Sequence, residues 1–198
     1  MPSDTGPRAE ASRRTREAIV AATVRVVARQ GVAAVTHRRV AAEAGVALSS
    51  TTWHFATKAE ILEAALQWTA SREVSRIRAI ADRLGGTDFD PSAWAAELGD
   101  WLIEQVTDER EIAVALYRLQ VELLDSAGAA RVHEQWGEGL RTVGERVLEH
   151  SSTATPDLDV RLIAAALDGL RISVLSSGEH DVEWLRLAVR RQVRALLG

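Results

Sequence analysis

Apolar residues recur every three or four positions along almost the whole chain, which is the spacing that puts them on one face of a helix. The last segment shows this most clearly, with Val182, Leu185, Val189, Val193 and Leu196 separated by 3, 4, 4 and 3 positions. Alternating β patterns are scarce, and only 4 prolines interrupt the 198 residues. The sequence therefore predicts an all-α fold of about nine helices.

Start and stop signals set the bounds of the first three helices. The first is predicted from about Ala9 to Gln30, where Gly31 ends it. The second follows Thr36, whose hydroxyl can cap free backbone N–H groups, and it ends at Gly45. A third, short helix is predicted over about residues 48–54.

Similar signals divide the rest of the chain. The run Thr57-Lys58-Ala59-Glu60 is a capping box, and the helix that it opens should extend to the break at Gly85-Gly86. Asp90-Pro91 and Thr155-Pro156 each combine a possible cap with a proline suited to a first helical turn. A further break is predicted at Ala127-Gly128.

The last two helices carry strong apolar seams. Such seams can complete the core of the monomer or form half of a four-helix interface between two copies. We expect a homodimer through these helices. The expected interface residues are Ile163, Leu167, Leu170, Val174, Leu185, Val189 and Val193.

Charge is distributed unevenly along the chain. The formal net charge is −4, yet residues 1–60 hold nine Lys and Arg against five Asp and Glu. Residues 61–198 hold fifteen against twenty-three. A basic end attached to an acidic body suggests that one module meets phosphate and the other does not, although chance clustering would look the same.

Residues 36–55, THRRVAAEAGVALSSTTWHF, have the pattern of a helix-turn-helix. Small side chains such as Ala41 and Ala44 let the two helices pack closely, and Gly45 permits the positive φ of a sharp turn. The second helix then opens with hydroxyl side chains that can reach phosphates or base edges. The predicted DNA contacts are Thr36, Arg38, Arg39, Ser49, Ser50, Thr51, Thr52, Trp53, His54 and Lys58.

Each of these residues also has a simpler interpretation. Thr36 can serve only as a helix cap, and Arg38 can be a solvated surface residue. Trp53 and His54 can pack at a helix end. Phe55 is expected in the core rather than on DNA.

The segment from Thr15 to Leu62 resembles the N-terminal domain of TetR-family transcriptional repressors. The matching pieces are TREAIVAAT, Gly31, Thr36, VAAEAGV at 40–46, HF at 54–55, and Lys58 followed by Ile61-Leu62. The resemblance implies that the third helix enters the major groove and that dimers bind a palindromic operator. It also implies a helical C-terminal domain in which a ligand releases the DNA.

The resemblance suggests a division into a disordered tail (1–8), a DNA-binding domain (9–57) and a ligand-binding and dimerisation domain (58–198). Two positions depart from the family pattern. Thr52 stands where a tyrosine is frequent, and Ala47 where a serine usually caps the recognition helix.

Aromatic residues of the acidic body are candidates for a pocket that holds a small, largely apolar effector. The candidate ligand-binding residues are Trp94, Trp101, Tyr117, Gln120, His133 and Trp136. Large aromatics also fill ordinary helical cores, so each of these residues can be plain core. The histidines at 133, 150 and 180 lack metal-ligand spacing and the chain has no cysteine, so neither a metal nor a cofactor is expected.

Three function classes follow. The first is a ligand-controlled repressor that acts in the cytoplasm at the nucleoid. The second is a DNA-binding regulator without an effector. The third is a helical-bundle enzyme, which is disfavoured because the sequence has no nucleophile elbow, Gly-rich phosphate loop or His-Glu metal motif. A run of 18 or more apolar residues is also missing, so no membrane span is expected.

Overall fold

The computed structural model describes residues 6–84, 90–148, 155–178 and 181–197. All regular structure in these ranges is helical, which confirms the all-α prediction. One 3₁₀ turn, Val32–Ala34, follows the first helix. The α-helices are α1 (Pro7–Gln30), α2 (His37–Ala44), α3 (Leu48–His54), α4 (Lys58–Leu84), α5 (Pro91–Val106), α6 (Arg110–Glu122), α7 (Ala127–Leu148), α8 (Pro156–Ser177) and α9 (Val182–Leu197).

The first helix begins earlier than predicted. Pro7 lies in its first turn, where the missing N–H of a proline is harmless, and Glu10 lies in the same turn. The Glu10 carboxylate pairs with Arg13 and Arg14 one turn later, at 2.8 and 3.0 Å. The predicted disordered tail of residues 1–8 is therefore wrong at residues 7 and 8, while residues 1–5 lie outside the described ranges.

The turn between α2 and α3 follows from Gly45. This residue has φ 67° and ψ 31°, a left-handed conformation that favours glycine. The N–H of Val46 donates to the carbonyl of Ala41 at 3.0 Å, and the N–H of Gly45 donates to Ala42 at 3.3 Å. This pair of bonds is a Schellman motif, which ends α2 sharply.

Predicted caps are present at three helix starts. Thr36 Oγ1 accepts from the N–H of Arg39 at 3.2 Å, and Asp90 Oδ1 accepts from Ser92 at 2.8 Å. Thr57 Oγ1 accepts from the N–H of Glu60 at 3.2 Å, as the capping box predicts. The Glu60 carboxylate, however, accepts from the residue before the cap, Ala56, at 2.8 Å.

The break predicted at Ala127-Gly128 lies slightly earlier, between Glu122 and Ala127. Gly128 belongs to the first turn of α7 and is buried. A Cβ at this position would lie 2.0 Å from the carboxyl carbon of Glu63 on α4, so glycine permits the close approach of the two helices. The break predicted at Gly85-Gly86 lies outside the described residues.

The chain divides into two compact units. The head unit comprises the chain through Ala70 together with Val114–Val132, and the body unit comprises Ser71–Ala113 together with the chain from His133 onward. The head unit therefore takes in residues beyond the predicted boundary at position 57. In the described part of the chain, no helix is long and apolar enough to cross a membrane.

The seam of α9 lies inside the body unit. Leu185, Val189 and Val193 are essentially inaccessible, and α9 packs mainly against α5. Leu167 and Val174 of α8 are buried in the same cluster. The predicted interface residues Ile163 and Leu170 pack against that cluster.

Ile163 and Leu170 are only partly buried, so their place in a dimer interface stays a prediction. For the five buried residues, Leu167, Val174, Leu185, Val189 and Val193, the assignment to a dimer interface is wrong. Their side chains complete the core of their own chain, which was the other use of such seams. A side chain that is already enclosed by its own chain has little surface left to bury against a second copy.

Candidate DNA-binding surface and ligand cavity

The short helix α3 has one exposed face and one buried face. Ser49, Thr52 and Trp53 are exposed, and Trp53 is accessible over 74% of its surface. Thr51 and Phe55 point into the head unit and are buried, as expected for Phe55. A large aromatic that remains exposed beside hydroxyl side chains is typical of a contact surface rather than of a core.

Thr51 cannot contact DNA in this arrangement. Its surface is 0% accessible, and its hydroxyl donates to the carbonyl of Leu48 at 2.7 Å. The prediction for this residue is wrong because the helix turns position 51 inward. Thr52 stays exposed, although its hydroxyl donates to the carbonyl of Ser49 at 3.1 Å.

His37 is a positioning residue that the sequence analysis missed. Its Nε2 lies 2.9 Å from the carbonyl oxygen of Phe55, which ends α3. This hydrogen bond joins the start of α2 to the end of α3. The sequence places His37 directly after the Thr36 cap, at the start of α2. Local spacing along the chain cannot predict a contact between residues 18 positions apart.

His54 lies between the buried and exposed faces of α3. Its ring packs edge-on to that of Trp53, with centroids 4.5 Å apart. Partial burial lowers the pKa of His54, and the positive charge of Arg16 lowers it further. The imidazole is therefore predominantly neutral near pH 7 and can offer DNA one N–H donor rather than a charge.

The predicted basic contacts differ in their availability. Arg38 and Lys58 are exposed. The guanidinium of Arg39 is also exposed, but it donates to the side chain of Gln30 at the end of α1. Thr36 is exposed and is used by its helix as a cap.

An ion pair fixes α2 against α1. Arg25 Nε donates to Glu43 Oε1 at 2.6 Å, and Arg29 lies 3.9 Å from the same oxygen. The hydrogen bond from Arg25 lowers the pKa of Glu43. The first helix of the helix-turn-helix is thus held to the helix before it by a charge-assisted bond.

The body unit contains a partly open cavity of about 90 Å³, here called the inner cavity. Trp94, Trp101 and Trp136 line it, so the structure brings together three of the predicted ligand-binding residues. Tyr117 and Gln120, which belong to the head unit, are not among its lining residues. The remaining lining is largely aliphatic and comes from α4, α5, α7, α8 and α9.

A larger depression of about 530 Å³, here called the outer cleft, adjoins the inner cavity between α7 and α8. His133, the remaining predicted ligand-binding residue, lines this cleft. Its ring lies edge-on to that of Trp136, with 5.6 Å between the ring centroids. Five residues line both spaces: Trp136, Leu140, Val160, Ala164 and Asp168.

A buried ion-pair cluster forms part of the wall of the inner cavity. Arg171 is 1% exposed, and its Nη1 donates to Glu73 Oε1 at 2.7 Å. Its Nη2 donates to Asp168, and its guanidinium carbon lies 5.7 Å from the ring centroid of Trp101. Burial raises the pKa of Glu73, while the positive charge of Arg171 opposes that rise.

Three buried polar atoms at the inner cavity have no hydrogen-bond partner within the described residues. They are Glu73 Oε2, Trp101 Nε1 and Trp136 Nε1. Buried polar groups are nearly always paired, so such atoms mark places where a bound molecule can supply the partner. No group of three or more His, Asp or Glu in the described ranges could hold a metal ion.

The sequence contained a signal for this cluster that was not used. Glu73 lies four positions before Ile77, on the apolar stripe of α4. Arg171 lies four positions after Leu167 and three before Val174, on the apolar seam of α8. Charged residues in register with a buried stripe are rarely left unpaired, so a mutual ion pair was the expected solution.

The fold defines a helix-turn-helix DNA-binding regulator with a helical body. The family model for the TetR family of bacterial regulatory proteins matches residues 19–65. A second model, for tetracyclin repressor-like C-terminal domains, matches residues 89–198. The chain belongs to the TetR family of transcriptional regulators, whose members are transcription factors rather than enzymes.

Several solved structures are similar over nearly their whole length. The multidrug binding protein EbrR, solved with ethidium, is 31% identical with a TM-score of 0.67, covering 90% of this chain and 98% of its own. A TetR-family protein from Streptomyces coelicolor A3 is 29% identical with a TM-score of 0.69, covering 90% and 97%. A transcriptional regulator from Rhodococcus sp. Rha1, at 23% identity and TM-score 0.76 over 91% and 95%, shares the fold. No curated protein sequence matches the chain.

Proposed function

We propose that this chain is a transcriptional repressor that binds a palindromic operator as a homodimer and is released by a small, largely apolar effector. It would act in the cytoplasm, on DNA of the nucleoid. The observation that carries this proposal is the exposed face of α3, on which Trp53 stands beside Ser49 and Thr52. These side chains project from a short helix that the rest of the head unit holds in place.

The proposed DNA-contacting surface keeps nine of the predicted residues and omits the buried Thr51. Hydroxyl groups and the Trp53 indole would contact the groove, while the basic side chains would hold the flanking phosphates. Arg39 would have to exchange Gln30 for a phosphate. The surface consists of Thr36, Arg38, Arg39, Ser49, Ser50, Thr52, Trp53, His54 and Lys58.

A second copy of the chain is the proposed occupant of the outward faces of α8 and α9. Leu158, Leu162 and Ile172 are exposed on α8, and Trp184 and Leu187 are exposed on α9. Positions 158, 162, 165, 169 and 172 follow the 4-3-4-3 spacing of a helical interface, with small residues at 165 and 169. Monomeric proteins rarely leave such a continuous apolar stripe in water.

The effector site is proposed in the inner cavity together with the outer cleft. The inner cavity alone, at about 90 Å³, is smaller than the roughly 300 Å³ or more of typical ligand pockets. An effector would therefore enlarge it or extend into the cleft. EbrR is described as a multidrug binding protein and was solved with ethidium, which supports a ligand-responsive body.

The small volume of the inner cavity also favours a second candidate, a DNA-binding regulator whose body only dimerises. The two candidates differ in one observable. An effector-controlled repressor loses operator affinity when its ligand is added, whereas the second kind of regulator does not.

The first experiment is selection of fragmented genomic DNA on the purified full-length protein at moderate salt, followed by sequencing. Enrichment of a short palindrome is the expected result. The matched control is the double variant Ser49→Ala/Trp53→Ala, which should fold normally by circular dichroism and lose the enrichment. No binding to any fragment even at low salt would overturn the proposal.

Once an operator is known, addition of candidate ligands to the protein–operator complex distinguishes the effector-controlled repressor from the regulator without an effector.

A further inference from the structure

The side chains of α3 carry little of the chemistry with which proteins read base edges through hydrogen bonds. Paired hydrogen bonds to guanine come from Arg or Lys, those to adenine come from Asn or Gln, and cytosine is read by Asp or Glu. None of these residue types occurs in α3, whose sequence is LSSTTWH. The helix therefore needs another way to distinguish one base pair from another.

The exposed face of α3 carries a large amount of apolar surface. Leu48 is 49% exposed at the start of the helix, and Trp53 is 74% exposed near its end. Leu48 lies one helical turn before Thr52, and both are exposed. Ser49 is likewise exposed one turn before Trp53, so the four side chains share one side of the helix. Leu48 is not among the nine residues of the proposed DNA-contacting surface.

The polar groups on this face offer few hydrogen bonds to bases. Thr52 Oγ1 donates to the carbonyl of Ser49 at 3.1 Å, so its proton is already used within the helix. The Ser49 hydroxyl can both donate and accept, and it therefore discriminates less sharply than a side chain that forms two bonds. Trp53 has a single N–H donor on a ring system that is otherwise apolar.

The major groove of DNA displays one apolar group that such a face can contact. This group is the 5-methyl group of thymine, whereas the other groups on the base edges are hydrogen-bond donors and acceptors. A leucine or tryptophan that enters the groove is removed from water, and this is most favourable where the side chain meets a methyl group. Arg38 and Lys58 are exposed and available to the phosphates, which leaves the base edges to the side chains of α3.

We propose that α3 recognises its operator through the methyl groups of thymines, which Trp53 and Leu48 contact in the major groove. The inference rests on the proposed function, because it names the feature of DNA that the same surface reads. Each half-site of the operator then has thymine at the positions that face these two side chains. An unmethylated cytosine at those positions would place a polar base edge against an apolar side chain.

The test removes single methyl groups from the DNA. The operator comes from the selection of genomic fragments, and each thymine is replaced in turn by uracil, which keeps the base pair and lacks only the 5-methyl group. Fluorescence anisotropy measures binding of the full-length protein. We expect at least one thymine in each half-site whose replacement weakens binding about three- to tenfold for each methyl group removed. Equal binding of uracil and thymine at every position would overturn the inference.

A second replacement separates the methyl group from the rest of the base pair. At a position that is sensitive to uracil, a C·G pair should bind weakly. 5-Methylcytosine at the same position should recover about threefold or more in affinity, because it returns a methyl group to the same place in the groove. Equal affinities of the methylated and unmethylated cytosine duplexes would contradict recognition of the methyl group.

Protein variants assign the methyl groups to side chains. Trp53→Ala should bind the thymine and uracil operators equally at one sensitive position, whereas Trp53→Phe keeps an apolar ring and should retain the difference. Leu48→Ala should abolish the difference at another position. The matched control is Ser49→Ala, which removes a hydroxyl from the same face and should keep both differences. A preference for thymine over uracil that persists undiminished in Trp53→Ala and Leu48→Ala would contradict the assignment.

The inference and the proposed function can fail separately. The comparison of thymine with uracil uses the natural chain, so it remains decisive if a variant does not fold or does not bind. An enriched palindrome whose affinity depends on no thymine methyl group would refute the role of Leu48 and Trp53 and leave the regulator standing. Absence of DNA binding even at low salt would refute both.

Discussion

Nη1 of Arg118 lies 2.8 Å from the carbonyl oxygen of Val27 and also 2.8 Å from that of Ala28, at the C-terminal end of α1. The last carbonyls of a helix have no partner within the helix, and that end carries partial negative charge. Arg118 on α6 supplies these carbonyls with a hydrogen-bond donor and places a positive charge at the negative end of α1. Since α1 packs against α2 and α3, this residue stabilises the head unit from a helix far along the chain.

We predict that Arg118→Gln lowers the free energy of unfolding by about 1–2 kcal/mol, because two charge-assisted hydrogen bonds to the end of α1 are weakened. Urea unfolding followed by circular dichroism measures the change. The control is Arg131→Gln, an exposed arginine of the same unit. Equal stability of the two variants would show that Arg118 does not support α1.

The Arg25–Glu43 pair gives a pH-dependent prediction. Its carboxyl has a lowered pKa, so the pair stabilises the fold above the ordinary value of 4.5 and loses that contribution as the pH falls below it. Glu43→Gln should therefore lower the free energy of unfolding by about 1 kcal/mol near pH 7, a value limited by partial exposure. The difference should shrink toward about pH 3.

The measurement is urea unfolding of Glu43→Gln and the natural chain across that pH range. Glu122→Gln, an exposed carboxylate of the head unit, is the control and should follow the natural chain. A difference that grows as the pH falls would have the wrong sign for this ion pair.

DNA contacts can be separated by the salt dependence of binding. Arg38→Ala and Lys58→Ala should each weaken binding to all sequences and flatten the dependence of log Kd on log salt by about 1, because each removes one phosphate contact. Fluorescence anisotropy with an operator duplex and with unrelated duplex measures both effects. Unchanged slopes in both variants would remove these residues from the proposed surface.

Operator preference should depend on the exposed face of α3 and not on its buried face. Ser49→Ala is expected to change the preference among operators with single base changes. Thr51→Val, which keeps the shape of the buried side chain but removes its bond to Leu48, should leave the preference intact and lower stability by about 1 kcal/mol. A change of preference in Thr51→Val alone would reverse this assignment.

Two neighbouring positions on α9 separate assembly from folding. Leu187 is 62% exposed, whereas Val189 is 0% exposed within its own chain. Leu187→Glu should give a folded monomer, because a charge then lies in the proposed interface of two copies. Val189→Glu should instead lose helical signal, because the charge enters the core of the body unit. Light scattering and circular dichroism measure both, and a stable dimer in Leu187→Glu would exclude this face.

Local features of the fold were predictable from the sequence because they depend on neighbours along the chain. The caps at Thr36 and Asp90, the turn at Gly45 and the bounds of α3 all follow from residues a few positions apart. Helical periodicity likewise identified the apolar stripe of α9.

The sequence could not predict which part of the chain packs against a given apolar helix face. Periodicity shows that Val189 lies on an apolar face, but not that α5 covers it. The same limit applies to Tyr117. It was a candidate for the pocket of the body, but its part of α6 belongs to the head unit. The bonds of Arg118 and the pairing of Glu73 with Arg171 join residues about 90 and 98 positions apart, beyond the range of any local pattern.

The buried pair of Glu73 and Arg171 also constrains how this protein can evolve. Loss of Glu73 leaves Arg171 paired with Asp168. Loss of Arg171 alone, however, leaves the buried Glu73 carboxylate without its cationic partner, at a cost of roughly 3–5 kcal/mol. A stable protein has about 5–15 kcal/mol in total, so few lineages tolerate the single change. Glu73 should therefore be found only together with Arg171, whereas Arg171 can be kept when Glu73 is replaced, because Asp168 remains its partner.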